Sequence, residues 1–150
     1  MKPRLANLRK SYEKGTLELS DVNKNPLQLF EKWFFEAKED NIIDEANAMS
    51  LTTISNDGFP RARVVLLKDF SKEGFVFFTN YKSDKGKSIL KHPKVGLSFY
   101  WPSFERQIIM KGKAEKLSDE ITNALPYIKD GSLISIKAPQ IKRKIVPGLI

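Results

Sequence analysis

The sequence predicts a mainly β protein with flanking helices, its strands antiparallel and closing into a barrel. Three observations predict it. Five segments between residues 48 and 118 alternate apolar and polar side chains with a period of two. Turn-forming runs, NDG at 56–58 and SKEG at 71–74, separate the first three of them. A short helical pattern interrupts the series only once, between the third and fourth segments, so most neighbours are joined without a crossover.

Taken in order, residues 1–24 are polar and basic, with a weak helical pattern through Leu5, Leu8 and Tyr12. NPLQLFEKWFFEAKED follows. Asn25 is a capping residue, Pro26 suits the first helical position, and Leu27, Phe30, Trp33, Phe34 and Ala37 fall at helical spacing. AMSLTTIS (48–55) is the first strand, FPRARVVLLKDF (59–70) the second and FVFFTN (75–80) the third. SDKGKSILKHP (83–93) reads as a short helix capped by Ser83. KVGLSFYW (94–101) and RQIIMKGKAEKLS (106–118) are two further strands. No repeat, low-complexity tract or linker divides the chain, so 1–150 reads as one domain.

The 150 residues suffice for one core, and the 41% hydrophobic content excludes disorder by composition. There is no cysteine, which excludes disulfides, thiolate nucleophiles and zinc–sulfur sites. The single histidine, His92, precedes a proline and reads as a solvated loop residue, and one histidine cannot build a multi-histidine metal site. No apolar run has the length of a membrane span, and the N-terminal segment has no apolar core, so a soluble cytoplasmic protein is expected. The net charge of +8 suggests a nucleic-acid partner until it is mapped. Residues 1–24 carry six cations and three anions, and 129–150 carry five and one. The body between them is left with fifteen against fourteen and is nearly neutral.

Three stretches carry chemistry. In GFPRARVVLLKDF (58–70), strand alternation puts Arg61, Arg63, Val65 and Leu67 on one face and Ala62, Val64, Leu66 and Lys68 on the other. Cations among apolar residues are costly to bury unless an anion meets them, the alternative being an edge strand with its arginines in water. In TNYKSDKGK (79–87), Thr79 and Ser83 offer hydroxyls. Ser83 opens a helix whose N-terminal amides suit a phosphate, with Lys85 and Lys87 close by. In FERQIIMKG (104–112), the Gln107 carboxamide can both donate to and accept from the edge of a heterocycle. No Gly-rich dinucleotide loop and no P-loop is present, and no carboxylate pair suggests acid–base work.

Together these stretches resemble the pyridoxamine 5′-phosphate oxidase family. LRKSYEKGTLEL (8–19), NPLQLFEKWFFEA, RVVLLK, GFVFFTNYKSDKGKSI and HPKVGLSFYWPSFERQIIMKG are similar, in order, to that family's blocks over about residues 8–118. The resemblance implies an FMN-binding split β-barrel, a homodimer with FMN held between subunits, and oxidation of pyridoxamine or pyridoxine 5′-phosphate to pyridoxal 5′-phosphate. Oxygen would reoxidise the flavin and yield peroxide. By the same resemblance Arg63, Val64, Val65, Leu66, Leu67 and Lys68 line FMN, with Arg63 on its phosphate, and Phe78, Thr79, Lys85 and Gln107 are further cofactor positions. Lys68 also reaches the substrate phosphate, and Arg9, Lys10, Ser11 and Tyr12 match a segment that covers substrate. No residue is singled out as a catalytic acid or base, because in flavin enzymes the cofactor carries the redox chemistry.

The chain departs from the family at named places. Asp84 stands where the family has arginine, and Phe78 where tyrosine is common. From residue 119 the quoted motifs stop, with Tyr127 and Ser132 as loose echoes and a basic tail over 129–150, so impaired turnover is expected. Two other functions fit the residues: a non-catalytic carrier of FMN or pyridoxal phosphate, and a basic RNA-binding barrel. The near-neutral body speaks against the second.

Overall fold

Helix α1 (Pro26–Glu39) begins at a built cap: the Asn25 Oδ1 accepts the Leu27 N–H at 3.0 Å, and Pro26 occupies the first turn, where no N–H is needed. Its three-and-four spacing buries Leu29, Phe30, Trp33 and Ala37 on one side. The structure, a computed structural model, describes residues 5–22, 25–118 and 120, and the backbone of 132–142.

Among the described residues six strands follow: β1 (Ala48–Ile54), β2 (Pro60–Ser71), β3 (Gly74–Thr79), β4 (Lys94–Trp101), β5 (Arg106–Lys116) and β6 (Ser132–Lys142), with helix α2 (Asp84–Lys91) between β3 and β4. They form a closed barrel in the order β1-β2-β3-β6-β5-β4, and every pairing is antiparallel. The five expected strands and both helices are present. The sixth strand is an addition: it lies inside the segment read as divergent, and it joins β3 to β5 to close the barrel. Strand β2 pairs β1 over Pro60–Leu66 and β3 only from Leu67 on, so the stretch with the arginines has one paired neighbour; the edge reading holds for the exposed Arg61, while Arg63 is half-buried.

The weak helical pattern over residues 1–24 is also corrected. Among the described residues of that segment only two single 3₁₀ turns occur, Leu5–Leu8 and Leu19–Asp21. Leu5, Leu8 and Tyr12 are exposed, so no apolar surface holds a longer helix in place. Tyr127, the side chain of Ser132 and the rest of the basic tail fall outside the described residues.

The barrel interior is filled by alternate residues of the strands, among them Met49, Leu51, Val65, Leu67, Phe75, Phe77, Leu97, Phe99, Ile108 and Met110. Helix α1 covers the end where β2 finishes and β3 starts. There Phe30, 1% exposed, meets Phe70 and Phe75 edge-on at 5.0 Å and lies beside Phe99. The Trp101 indole N–H donates to the Ala46 carbonyl at 3.1 Å, so the largest core side chain has its polar atom satisfied. Helix α2, which follows the end of β3 and precedes the start of β4, sits at the opposite end. Gly86 is required there: a Cβ would stand 2.6 Å from the carbonyl oxygens of Asn80 and Tyr81, so the helix could not pack on the preceding turn.

Candidate functional site

The pleat of β2 divides its cations as the alternation predicts. Arg61 and Arg63 share the inward face with Val65 and Leu67, which are in the core, while Val64, Leu66 and Lys68 face outward. Arg63 is half-buried at the α2 end. It sits opposite Leu51, and its Nη1 donates to the Thr53 hydroxyl at 2.7 Å and to the Leu51 carbonyl at 3.3 Å. Among the described residues no carboxylate is within ion-pair distance of it. Desolvation lowers its pKa from the usual arginine value, Arg61 adds to the lowering, and Asp84 opposes it. An arginine remains a cation under that shift, so this is a positive charge held in place with its remaining donors available.

Thr79 closes β3 on the same inward side. The β2–β3 ladder ends at Leu67 opposite Phe77, and Thr79 follows two residues beyond that pair on β3. Its hydroxyl is buried with no hydrogen-bond partner among the described residues. A buried hydroxyl left unpaired is costly, and a ligand oxygen in this place would satisfy it. The turn that follows is tied by its own side chains. The Asn80 Oδ1 accepts the Lys82 N–H at 2.8 Å, the Ser83 hydroxyl donates to the Asn80 carbonyl, and the Ser83 Oγ accepts the Gly86 N–H at 3.3 Å. The Ser83 hydroxyl therefore caps α2 and has no proton left to donate to an anion. Asp84, at the first position of α2, pairs with Arg61 at 3.2 Å, and Lys85 follows it in the first turn.

The outward face of the sheet holds the other predicted positions. Strands β2 and β5 are separated by β1 and β4, and the register lines up Val64, Ser50, Ser98 and Ile109 across the four. Ala48 and Gly96 continue this floor of small residues. Gln107 borders it on the β5 side, its Nε2 donating to the Ser98 Oγ at 3.3 Å. Val64 borders it on the β2 side and is 69% exposed. Lys68 lies with its Nζ 5.5 Å from the centroid of the Phe78 ring, both outside the barrel. Val65 and Leu67 can offer a ligand only their backbone, because their side chains are in the core.

The N-terminal segment reaches this face from one side. Lys14 donates its backbone N–H to Glu105 Oε2 at 2.9 Å and its Nζ to the Ser103 carbonyl at 2.6 Å. Glu105 adopts the left-handed conformation, φ 53°, uncommon for a side-chain-bearing residue. Tyr12 lies beside Tyr100, whose phenol is held above its usual pKa by desolvation first and by Tyr12 next. Tyr100 is opposite Gln107 in the register, so Tyr12 comes to the same border. Arg9, Lys10 and Ser11 are exposed.

The arrangement thus offers two neighbouring surfaces: a barrel end with two arginines, a lysine and an orphaned hydroxyl, suited to a phosphate, and a floor of small side chains with a carboxamide at its rim, suited to a flat ring. The residues present fit a flavin mononucleotide. Sequence reasoning missed the Arg61–Asp84 pair, because the partners are 23 residues apart. It also missed Thr53, whose buried hydroxyl steadies Arg63; its inward place on β1 was the available signal. Among the described residues no group of three or more metal-ligating side chains occurs, and no helix is long and apolar enough to cross a membrane.

Residues 35–142 match the family described as pyridoxamine 5′-phosphate oxidase, a match that continues past residue 118 and through β6. The chain is 50% identical over 119 residues to the pyridoxine/pyridoxamine 5′-phosphate oxidase of Flavobacterium psychrophilum. That alignment takes in 79% of this chain and 56% of the relative, so the chain spans little more than half the relative's length. Among solved structures it resembles PhzG from Burkholderia lata in complex with tetrahydrophenazine-1-carboxylic acid, with a TM-score of 0.66 and 25% identity over 73% of this chain and 55% of that one. It also shares its fold with a pyridoxamine 5′-phosphate oxidase-related, FMN-binding protein of Nostoc punctiforme, with a TM-score of 0.58 and 16% identity over 76% and 81% of the two chains.

Proposed function

The chain belongs to the pyridoxamine 5′-phosphate oxidase family, and from that premise we propose that it binds FMN and takes part in the oxidation of pyridoxamine or pyridoxine 5′-phosphate to pyridoxal 5′-phosphate, with oxygen as the final acceptor. The observation that carries this reading is Arg63. A half-buried guanidinium, fixed by Thr53 and the Leu51 carbonyl and without a carboxylate partner among the described residues, is arranged for an anion that comes from outside the chain.

In this reading Arg63, Lys85 and the Thr79 hydroxyl hold the FMN phosphate. The backbone of β2 from Val64 to Leu67 and the Gln107 carboxamide lie along the ring system, and Phe78 packs beside them. FMN, when bound, supplies the two-electron acceptor. The chain's own residues bind, orient and shield. Lys68, outside the barrel and held over the Phe78 ring, is placed for a second phosphate, that of the substrate. The segment from Arg9 to Tyr12, tethered by Lys14 to Glu105 and Ser103, covers the substrate from the Tyr100 side. A second copy of the chain covers the exposed floor, where Val64 and Tyr100 remain open to solvent in one copy.

Two measurements test the reading. Protein incubated with FMN and then desalted should retain a flavin spectrum, and it should sediment at twice its 17.2 kDa chain mass. Adding pyridoxamine 5′-phosphate in air should produce pyridoxal 5′-phosphate and peroxide. Absence of bound flavin would overturn the cofactor assignment. Bound flavin without product would make the protein a binding module.

A further inference from the structure

At the phosphate end of the site a carboxylate stands among the cations. Asp84 Oδ2 is 3.2 Å from Arg61 Nη1, and both side chains are exposed, at 78% and 61%. Arg61 and Arg63 project from the same face of β2, one strand repeat apart, and Arg63 feels the charges of both Arg61 and Asp84. The three charges therefore share one locus at the start of α2. As an acid in the first turn of α2, Asp84 gains only the modest stabilisation of a charge near a helix N-terminus. Ser83, not Asp84, caps the helix, and among the described residues the Asp84 side chain has only Arg61 as a hydrogen-bond partner.

We propose that Asp84 is an internal counter-ion that sets the affinity of this site for phosphate-bearing ligands by occupying Arg61. The inference rests on the reading that the α2 end receives the phosphate of FMN. With Asp84 in place, an incoming phosphate meets one committed arginine, Arg63, and one already engaged by a carboxylate. To recruit Arg61 it has to displace Asp84, and it does so against the repulsion between two anions. An exposed ion pair is weak enough to be displaced, so Asp84 lowers affinity without closing the site. The control acts on the phosphate and leaves the ring surface alone, which makes Asp84 and Arg61 residues that determine specificity and not structural ones.

The test is a double-mutant cycle read by quenching of flavin fluorescence at low ionic strength, with FMN and with riboflavin, which lacks the phosphate. Asp84→Asn is expected to tighten FMN by roughly tenfold, the lower end of a charge-assisted hydrogen bond once solvent screening is discounted. Riboflavin affinity should not change. In an Arg61→Ala background the gain from Asp84→Asn should fall below about twofold, because the freed guanidinium is no longer there. In salt near 1 M the gain should shrink as the charges are screened. Equal gains in both backgrounds, an equal gain for riboflavin, or no gain while the unaltered protein binds FMN would each overturn this inference alone. If neither the unaltered chain nor Asp84→Asn binds FMN, the cofactor reading falls with it.

Discussion

Two half-buried arginines of this chain sit at opposite ends of the barrel and have opposite surroundings. Arg106, at the α1 end, pairs with Glu36 and is stacked between the Trp33 ring at 4.6 Å and the Phe104 ring at 4.9 Å. Arg63, at the α2 end, has a hydroxyl and a carbonyl for company and no carboxylate at ion-pair distance among the described residues. The first is complete within the chain: its charge is matched and its flat faces are covered. The second is fixed in position with part of its donor set unused. The difference separates an arginine that holds a helix to a barrel from one that, in the proposed reading, receives an anion.

The comparison can be broken most readily at Arg106. Arg106→Ala removes the pair that ties α1 to β5, together with two ring contacts, and should lower unfolding stability by about 3 kcal/mol in urea titration. Arg63→Ala should cost less, about 1–2 kcal/mol in the same measurement, because it deprives the buried Thr53 hydroxyl of its donor but breaks no ion pair. The reverse ranking would undo the contrast. In ligand binding the ranking should invert. Arg63→Ala should weaken FMN by roughly ten- to a hundredfold, as loss of one charged hydrogen bond implies, while Arg106→Ala leaves the affinity of the folded protein unchanged.

A sharper version separates the two anions. Lys68→Ala should weaken pyridoxal 5′-phosphate binding by roughly tenfold and spare FMN, because Lys68 faces outward and Arg63 inward. Equal losses for both ligands would mean that the two faces of β2 do not serve different phosphates. The smallest effect is expected at Thr79. Thr79→Val exchanges an orphaned buried hydroxyl for a methyl group, which should leave stability unchanged or raise it by up to about 1 kcal/mol and weaken FMN several-fold. Lost stability with unchanged FMN affinity would show that the hydroxyl has an internal partner and no role toward the ligand.

Of this contrast, the fold and the Arg63 side were legible in the sequence. Lys94–Trp101 and Pro26–Glu39 could be bounded from period and capping alone, because each carries its own stop signals: Pro102 after the strand, Asn25 and Pro26 before the helix. Alternation in β2 assigned Arg63 and Lys68 to different faces before any pairing was known. The sixth strand was not legible. Ile134 and Ile136 alternate with Ser135 and Lys137, but Pro139 and the lysines hide the period, and only the pairing with β3 and β5 makes the segment a strand. Side-chain commitments were equally hidden. That the Ser83 hydroxyl is taken by the helix cap, and that Arg61 is held by Asp84, depend on turns and contacts that local pattern does not encode.

The place of β6 has a consequence during synthesis. Strands β3 and β5 meet nothing of each other until residues 132–142 arrive between them. A nascent chain that has made everything through residue 116 therefore carries two bare strand edges and an open core lined by Phe75, Phe77, Ile108 and Met110. Such edges are templates for pairing with other chains. Strand β6 is thus the one that ends this exposure, and any pause in translation between residues 116 and 132 prolongs the interval in which these edges are open to aggregation and to chaperones.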